Sequence, residues 1–290
     1  MKNIYAAYFS GTGTTKKTVN FIAEKLSEKL SLLKKEFDFT LPEIRKEGKS
    51  FEKEDIVIFG IPVIAGRVPN VLLKYLETVK GNGALAVPVV LFGNRDFNDA
   101  LMELSEILLA NGFKTIAAGA FVGEHSFSKI LAAGRPDKED MKIMEKFSNE
   151  IYKKITDKNF DKNIPVKITH GEKPFTYYKP KDAEGNHIDI RKVIPKTDMK
   201  LCDNCKVCAK VCPMGSIDYN NPEIITGICI KCCACIKKCH TGAKYFDDEG
   251  YLYHKQDLES KYKRRAEPEL FYWIKFIIKK VFYKFHIWNL

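Results

Sequence analysis

The sequence predicts an α/β protein: a doubly wound, five-stranded parallel sheet over residues 1–156, then a small α+β module, then a C-terminal amphipathic helix. Three observations predict it. Apolar strand-like runs alternate with runs of helical period through the first half of the chain. All nine cysteines fall between Cys202 and Cys239. The last stretch sets aliphatic and aromatic residues on one side of a helical wheel and lysines on the other.

The elements follow in order. Residues 3–9 (Asn-Ile-Tyr-Ala-Ala-Tyr-Phe) read as a buried strand. Val19, Ile22, Ala23, Leu26, Leu30 and Leu33 recur at helical spacing over residues 15–33. A weaker strand is expected near Phe37–Leu41. Residues 55–60 are a strong strand, Val71–Val79 a helix, and residues 86–92 a third strong strand. Pro88 confines the early part of that run to the start of its ladder, because it lacks a backbone donor. Helix 98–111, strand 115–121 and helix 137–155, opened by Pro136 and Asp137, complete the pattern. Such βαβ units bury a parallel sheet on both faces, and five strands in this length fit the order 2-1-3-4-5.

Residues 157–197 change regime. They are polar, lack long periodicity and carry prolines at 165, 174, 180 and 195, so they read as a linker that adds short strands at most. The cysteine module spans 198–250, and a basic amphipathic tail 251–290.

Composition narrows the function. The 48 Lys+Arg against 37 Asp+Glu leave +11, which suits acidic partners, phosphorylated cofactors or anionic surfaces. Crowded cysteines argue for metal and against a disulfide framework stapling the whole fold. The first residues run straight into a strand without a signal-peptide pattern, and no apolar run approaches the ~18 residues of a membrane span. A cytoplasmic, reducing location is expected. No nucleic-acid motif accompanies the aromatics and lysines of the tail, so nucleic acid is not an expected partner.

Two cysteine runs share one spacing: Cys202-x2-Cys205-x2-Cys208-x3-Cys212-Pro213 and Cys229-x2-Cys232-x2-Cys235-x3-Cys239-His240. Thiolates are soft ligands, and four of them hold a cubic iron–sulfur core. In this spacing three cysteines wrap one cluster and the fourth points at the other. The expected ligand sets are Cys202, Cys205, Cys208 with Cys239, and Cys229, Cys232, Cys235 with Cys212. A pair of structural zinc sites is the alternative, but it usually needs CxxC pairs set further apart. The repeat, with Pro213, Gly215 and Ile217, resembles the bacterial-type 2[4Fe-4S] ferredoxin. His240 stands where that family usually has proline; it either fills the place passively or tunes the potential of its cluster. Cys233 lies outside the pattern and reads as a buried small hydrophobe.

The first strand ends in Ser10-Gly11-Thr12-Gly13-Thr14-Thr15, then a helix starts. Glycines let backbone approach an anion, hydroxyls donate, and the helix N-terminus adds a positive dipole. The stretch lacks the Gly-Lys of a Walker A loop and the third glycine of a dinucleotide fingerprint. This hydroxyl-rich loop resembles the FMN phosphate loop of flavodoxins, which assigns the phosphate to Ser10, Thr12, Gly13, Thr14 and Thr15. Two further loops at strand C-termini resemble the flavin-flanking loops of that family. Gly60–Pro69 carries Pro62 and Ile64, with Ile64 in place of the usual aromatic. Phe92–Phe97 carries Gly93, Asn94, Arg95 and Phe97, with Phe97 expected to cover a ring face and backbone near Asn94 to meet the ring's polar edge. A stretch from Gly119 to Phe127 is expected to border the flavin, His125 serving as a structural residue there.

Together these stretches resemble a flavodoxin–ferredoxin fusion family: a flavodoxin-like domain at 1–156, linker 157–197, and a ferredoxin-like domain at 198–250. The resemblance implies FMN and two [4Fe-4S] clusters, and an electron-transfer protein serving an external redox partner that its basic charge suggests is acidic. The alternatives are an FMN-dependent reductase of a small acceptor fed by the clusters, and a plain ferredoxin whose first domain is an empty docking scaffold. No histidine or carboxylate constellation marks a substrate site. In the tail, Leu270, Phe271, Ile274, Ile277, Ile278, Val281, Phe282, Phe285 and Trp288 face one way, and Lys275, Lys279, Lys280, Lys284 and His286 the other. Such a helix either docks on protein or lies on an anionic membrane surface, which would make the protein peripheral on the inner face of the membrane.

Overall fold

The first 122 residues lay down most of one sheet in the computed structural model, which describes residues 1–272. The elements are β1 (Asn3–Tyr8), α1 (Thr14–Leu30), β2 (Leu33–Asp38), β3 (Ile56–Pro62), α2 (Asn70–Leu76), β4 (Leu85–Phe92), α3 (Ala100–Ala110), β5 (Lys114–Thr115), β6 (Ala118–Val122) and α4 (Lys138–Thr156). After the linker come β7 (Lys196–Thr197), α5 (Val207–Lys210), α6 (Ala234–Lys237), β8 (Lys244–Tyr245), α7 (Glu249–Lys261) and β9 (Glu269–Phe271). The sheet order is β2-β1-β3-β4-β6-β9, with β5 also on β4. β7 and β8 form a separate antiparallel pair, whereas all pairs in the larger sheet are parallel except β6–β9. This is the flavodoxin-like 2-1-3-4-5 order, with one antiparallel edge strand added.

The central strands are apolar without alternation because both faces are covered. Val19, Ile22 and Leu26 of α1 pack with Met144, Phe147 and Ile151 of α4 on one face. Leu72 and Leu76 of α2 pack with Leu101, Leu104 and Leu108 of α3 on the other. Asp137 caps α4 by accepting from the Glu139 and Asp140 N–H groups, and Asp140 accepts from the Asp137 N–H in return.

Four expectations change. The strand expected near Phe37–Leu41 is β2, which starts at Leu33; its half-exposed alternation is that of a sheet edge. Strand 115–121 is two strands, interrupted at Ile116–Ala117. That gap also explains Pro88, which sits well inside β4. The Leu85 N–H bonds toward β3, whereas the Ala86 and Phe92 carbonyls serve the other side. By the same alternation, the donor that Pro88 lacks would face the gap. Third, α7 occupies residues assigned to the tail, with Asp248 accepting from the Tyr251 N–H as its cap. Fourth, Leu270 and Phe271 lie in β9, and Phe271 enters the core, so these two do not belong to a tail helix. The remainder of the expected tail helix lies outside the described residues. Among the described residues, no helix is long and apolar enough to cross a membrane.

Candidate functional site

The β1–α1 loop is where the sequence leads one to expect an anion cradle. Gly13 takes a left-handed conformation (φ 99°) immediately before α1, a turn that glycine adopts without a Cβ penalty. The Ser10 hydroxyl accepts from the Lys16 N–H at 3.0 Å, and the Ser10 N–H donates to the Thr40 hydroxyl at 2.8 Å. The N–H groups of Gly11, Thr12, Gly13, Thr14 and Thr15 find no acceptor among the described residues. Unpaired donors at the positive end of a 17-residue helix fit a phosphate. Thr12 and Thr14 are half-buried beside them, and Thr15 is buried.

The flavin-flanking loops are only partly as expected. The backbone N–H groups of Gly93, Asn94 and Arg95 likewise have no acceptor among the described residues, so this edge retains donors. The side chains are engaged by the chain itself. The buried Asn94 amide donates to the Tyr262 and Arg264 carbonyls and accepts from the Ala266 N–H. Arg95 lies over the Tyr178 ring, 3.9 Å from its centroid. Phe97 is 3% exposed and is stacked by His170 at 3.9 Å, so it offers no free face to a flavin. Pro62 and Ile64 stay half-buried, with the Ile64 and Arg67 backbones bonded to each other. The linker covers this end: the Tyr178 N–H donates to the Ala65 carbonyl, and Asp99 accepts from the Glu172 and Thr176 N–H groups. The residues present therefore fit FMN through the phosphate loop and the backbone after β4, but not through the ring stacking expected of Phe97.

The cysteine module is built as two similar halves. Each run passes through two left-handed residues, Asn204 and Lys206 in the first and Lys231 and Cys233 in the second, and then enters a four-residue helix, α5 or α6. Cys233 thus occupies the place of Lys206 at the start of its helix. Its side chain is buried with Phe246 and Tyr251, as expected of a small hydrophobe. Cys202, Cys205, Cys208 and Cys239 line one cavity together with Pro222 and Lys244. Cys212 stands apart from that set and interacts electrostatically with Cys229 and Cys232. Cys239 thus lies with the first run, 27 residues or more from it in sequence.

Burial raises the thiols of the second run. Cys232 is pushed up to about 12, and Cys229 and Cys235 also rise. Such thiols are protonated near neutrality, so binding iron releases protons. Cys239 is partly desolvated, but the Thr241 hydroxyl and the backbone N–H groups of Lys244, Ala243 and Thr241 bring it below the usual thiol range. His240 pairs with Asp203 at 2.9 Å at the exposed rim of the first cavity, beside Cys205.

The two halves of the chain meet at the C-terminal end of the sheet. Arg45 donates to the Pro213 carbonyl at 2.6 Å, and Lys237 reaches Glu124 and the His125 carbonyl at 3.2 and 3.0 Å. Between these joints, a Cβ placed on Gly11 would lie 3.2 Å from the Cys232 Cβ and 3.4 Å from its Sγ. His125 packs edge-on against Phe127, which in turn contacts Tyr251 and His254 of α7. The α7 contribution was missed in the sequence; its trace was Asp248 followed by Tyr251, His254 and Leu258 on one side of a helix.

Residues 195–218 match the 4Fe-4S binding domain family. Among solved structures, a flavodoxin from the domain Archaea is 14% identical and covers 54% of this chain and 100% of its own, with a TM-score of 0.35. A Fusobacterium nucleatum flavodoxin bound to flavin mononucleotide is 21% identical and covers 53% and 98%, with a TM-score of 0.37. Flavodoxin 1 from Bacillus cereus is 18% identical over 53% and 98%, with a TM-score of 0.37. No curated protein matches the chain. By its own sheet topology and its 4Fe-4S match, the chain joins a flavodoxin-like domain to an iron–sulfur domain, and electron transfer is the activity these parts define.

Proposed function

We propose that the chain is an iron–sulfur flavoprotein that passes electrons between FMN, two [4Fe-4S] clusters and an external redox protein. The observation that carries this reading is the seating of Cys232 on Gly11, which brings a cluster run against the phosphate loop. Ser10, Thr12, Gly13, Thr14 and Thr15 would hold the phosphate, and the backbone of Gly93, Asn94 and Arg95 a polar edge of the flavin. Bound FMN exchanges two electrons, whereas a [4Fe-4S] cluster moves one, so the pairing converts between the two regimes. Cys202, Cys205, Cys208 and Cys239 would hold one cluster, and Cys229, Cys232, Cys235 and Cys212 the other. In the second set Cys235 is buried, Cys212, Cys229 and Cys232 are half-buried, and Ala234 packs against the loop. The charge of +11 favours an acidic partner.

Anaerobic loading with iron, sulfide and FMN tests the reading. About eight irons and about one flavin per chain support it. Full iron without flavin uptake would reduce the protein to a ferredoxin-type carrier on a docking scaffold. Rapid oxidation of the reduced flavin by a small acceptor, with no protein partner present, would favour a reductase.

A further inference from the structure

The two cysteine sets do not face the same surroundings. In the first, Cys205 is exposed, as are its neighbours Asp203, Asn204 and Leu201, and the flanking His240–Asp203 pair opens to solvent. In the second, Cys235 and Ala234 are buried, and Cys232 rests on the phosphate loop. Arg45 bonded to Pro213, next to Cys212, and Lys237, two residues after Cys235, bonded to Glu124 join this set to the first domain. At residue 11 a Cβ would crowd the Cys232 Cβ at 3.2 Å and meet the Ala234 Cβ at an ordinary contact distance of 4.0 Å.

We infer that the clusters are ordered, the set of Cys229, Cys232, Cys235 and Cys212 being the inner one and that of Cys202, Cys205, Cys208 and Cys239 the outer one, and that Gly11 is the positioning residue that seats the inner set on the phosphate loop. This inference rests on the reading that each set holds a cluster. Gly11 makes no covalent contribution; it acts by leaving room. A methyl at this position forces a displacement of a few tenths of an ångström, because 3.2 Å is tighter than ordinary carbon–carbon contact. A branched side chain forces more and opens the seam to solvent. An external protein then meets the outer set, and the inner set mediates between it and the phosphate loop.

The experiment uses the full chain, loaded anaerobically with iron and sulfide, with and without FMN. It is exposed to a ferrous chelator and iodoacetamide, and the alkylated cysteines are mapped by mass spectrometry over time. The expected order is Cys202, Cys205, Cys208 and Cys239 first, and Cys229, Cys232, Cys235 and Cys212 several-fold more slowly. Gly11→Val should accelerate the slow set several-fold and shift the midpoint potential of its cluster in an EPR-monitored titration, leaving the fast set unchanged. Gly11→Ala should fall between. Simultaneous labelling of both sets, labelling of the second set first, or a Gly11→Val protein with wild-type order and potentials would overturn the inference. The labelling order of the wild-type chain decides the matter even where Gly11→Val fails to fold. A chain that takes up no iron overturns the functional reading itself; iron bound with the order reversed overturns the ordering alone.

Discussion

The imidazole of His170 lies on the ring of Phe97, centroids 3.9 Å apart and planes 26° apart, and its two nitrogens reach Asp96 and Glu269 at 3.2 and 3.1 Å. One linker residue thereby joins the loop after β4 to the edge strand β9, and covers the aromatic that sequence alone assigns to a flavin. His170→Ala should cost about 1 kcal/mol, the scale of a stacked aromatic pair with partly exposed polar contacts. Urea denaturation measures it. Limited proteolysis should then cut the 171–178 stretch faster than in wild type, and unchanged cutting would show that the contacts of Asp99, Ala65, Arg67, Arg95 and Glu106 suffice to hold the linker.

Arg135 and Asp140 form a buried pair, 4% and 1% exposed, with Arg135 also donating to the Ala266 carbonyl at 2.6 Å. The pair ties the capped start of α4 to the segment leading into β9. Removing one partner strands a charge without water. Asp140→Ala should therefore cost roughly 3–5 kcal/mol, seen as a lower urea midpoint with an unchanged slope. A loss below about 1 kcal/mol would mean that solvent reaches Arg135.

His254 is 4% exposed on α7, packed against Phe127 and Tyr178, and its Nδ1 has no hydrogen-bond partner. Burial is the main cause that depresses it to about 4. An unfolded histidine titrates near 6.5, so between these values the unfolded chain binds the extra proton. The sign follows: His254 favours the folded state fully above about pH 6.5, and that contribution is lost as pH falls towards 4. The span is worth roughly 3 kcal/mol. His254→Phe should flatten this part of the stability–pH curve and leave the protein more stable than wild type at pH 5. An unaltered slope would assign the acid sensitivity elsewhere.

The layered sheet was legible because its strands are buried on both faces and so read as apolar runs, as in Ile56–Gly60 and Val87–Phe92. The likeness of the two cysteine runs was legible because they share one spacing, and each passes through two left-handed residues into a four-residue helix. Contacts between segments distant in sequence were not. No local pattern around Asn94 foretells that its amide binds Tyr262, Arg264 and Ala266. β9 has three residues and exists only because β6 offers an unpaired edge, so Leu270 and Phe271 fitted a helical wheel equally well. Phe97 was correctly seen at a strand C-terminus; that His170 would cover it depends on where a 41-residue linker, 157–197, happens to lie.

Cys212 follows the first run in sequence but interacts with Cys229 and Cys232 of the second. Its Sγ accepts from the Ser216 N–H at 3.4 Å. Cys239 follows the second run and lines the cavity of the first. The two substitutions therefore predict opposite losses. Cys212→Ala should degrade the cluster of Cys229, Cys232 and Cys235 and spare the other, removing up to about half of the bound iron. Cys239→Ala should do the reverse. Alkylation after anaerobic loading distinguishes them: in Cys212→Ala the thiols of residues 229–235 become reactive and those of 202–208 stay protected. If Cys212→Ala instead exposed Cys202, Cys205 and Cys208, each run would hold its own cluster, and the pairing across the two halves would be wrong.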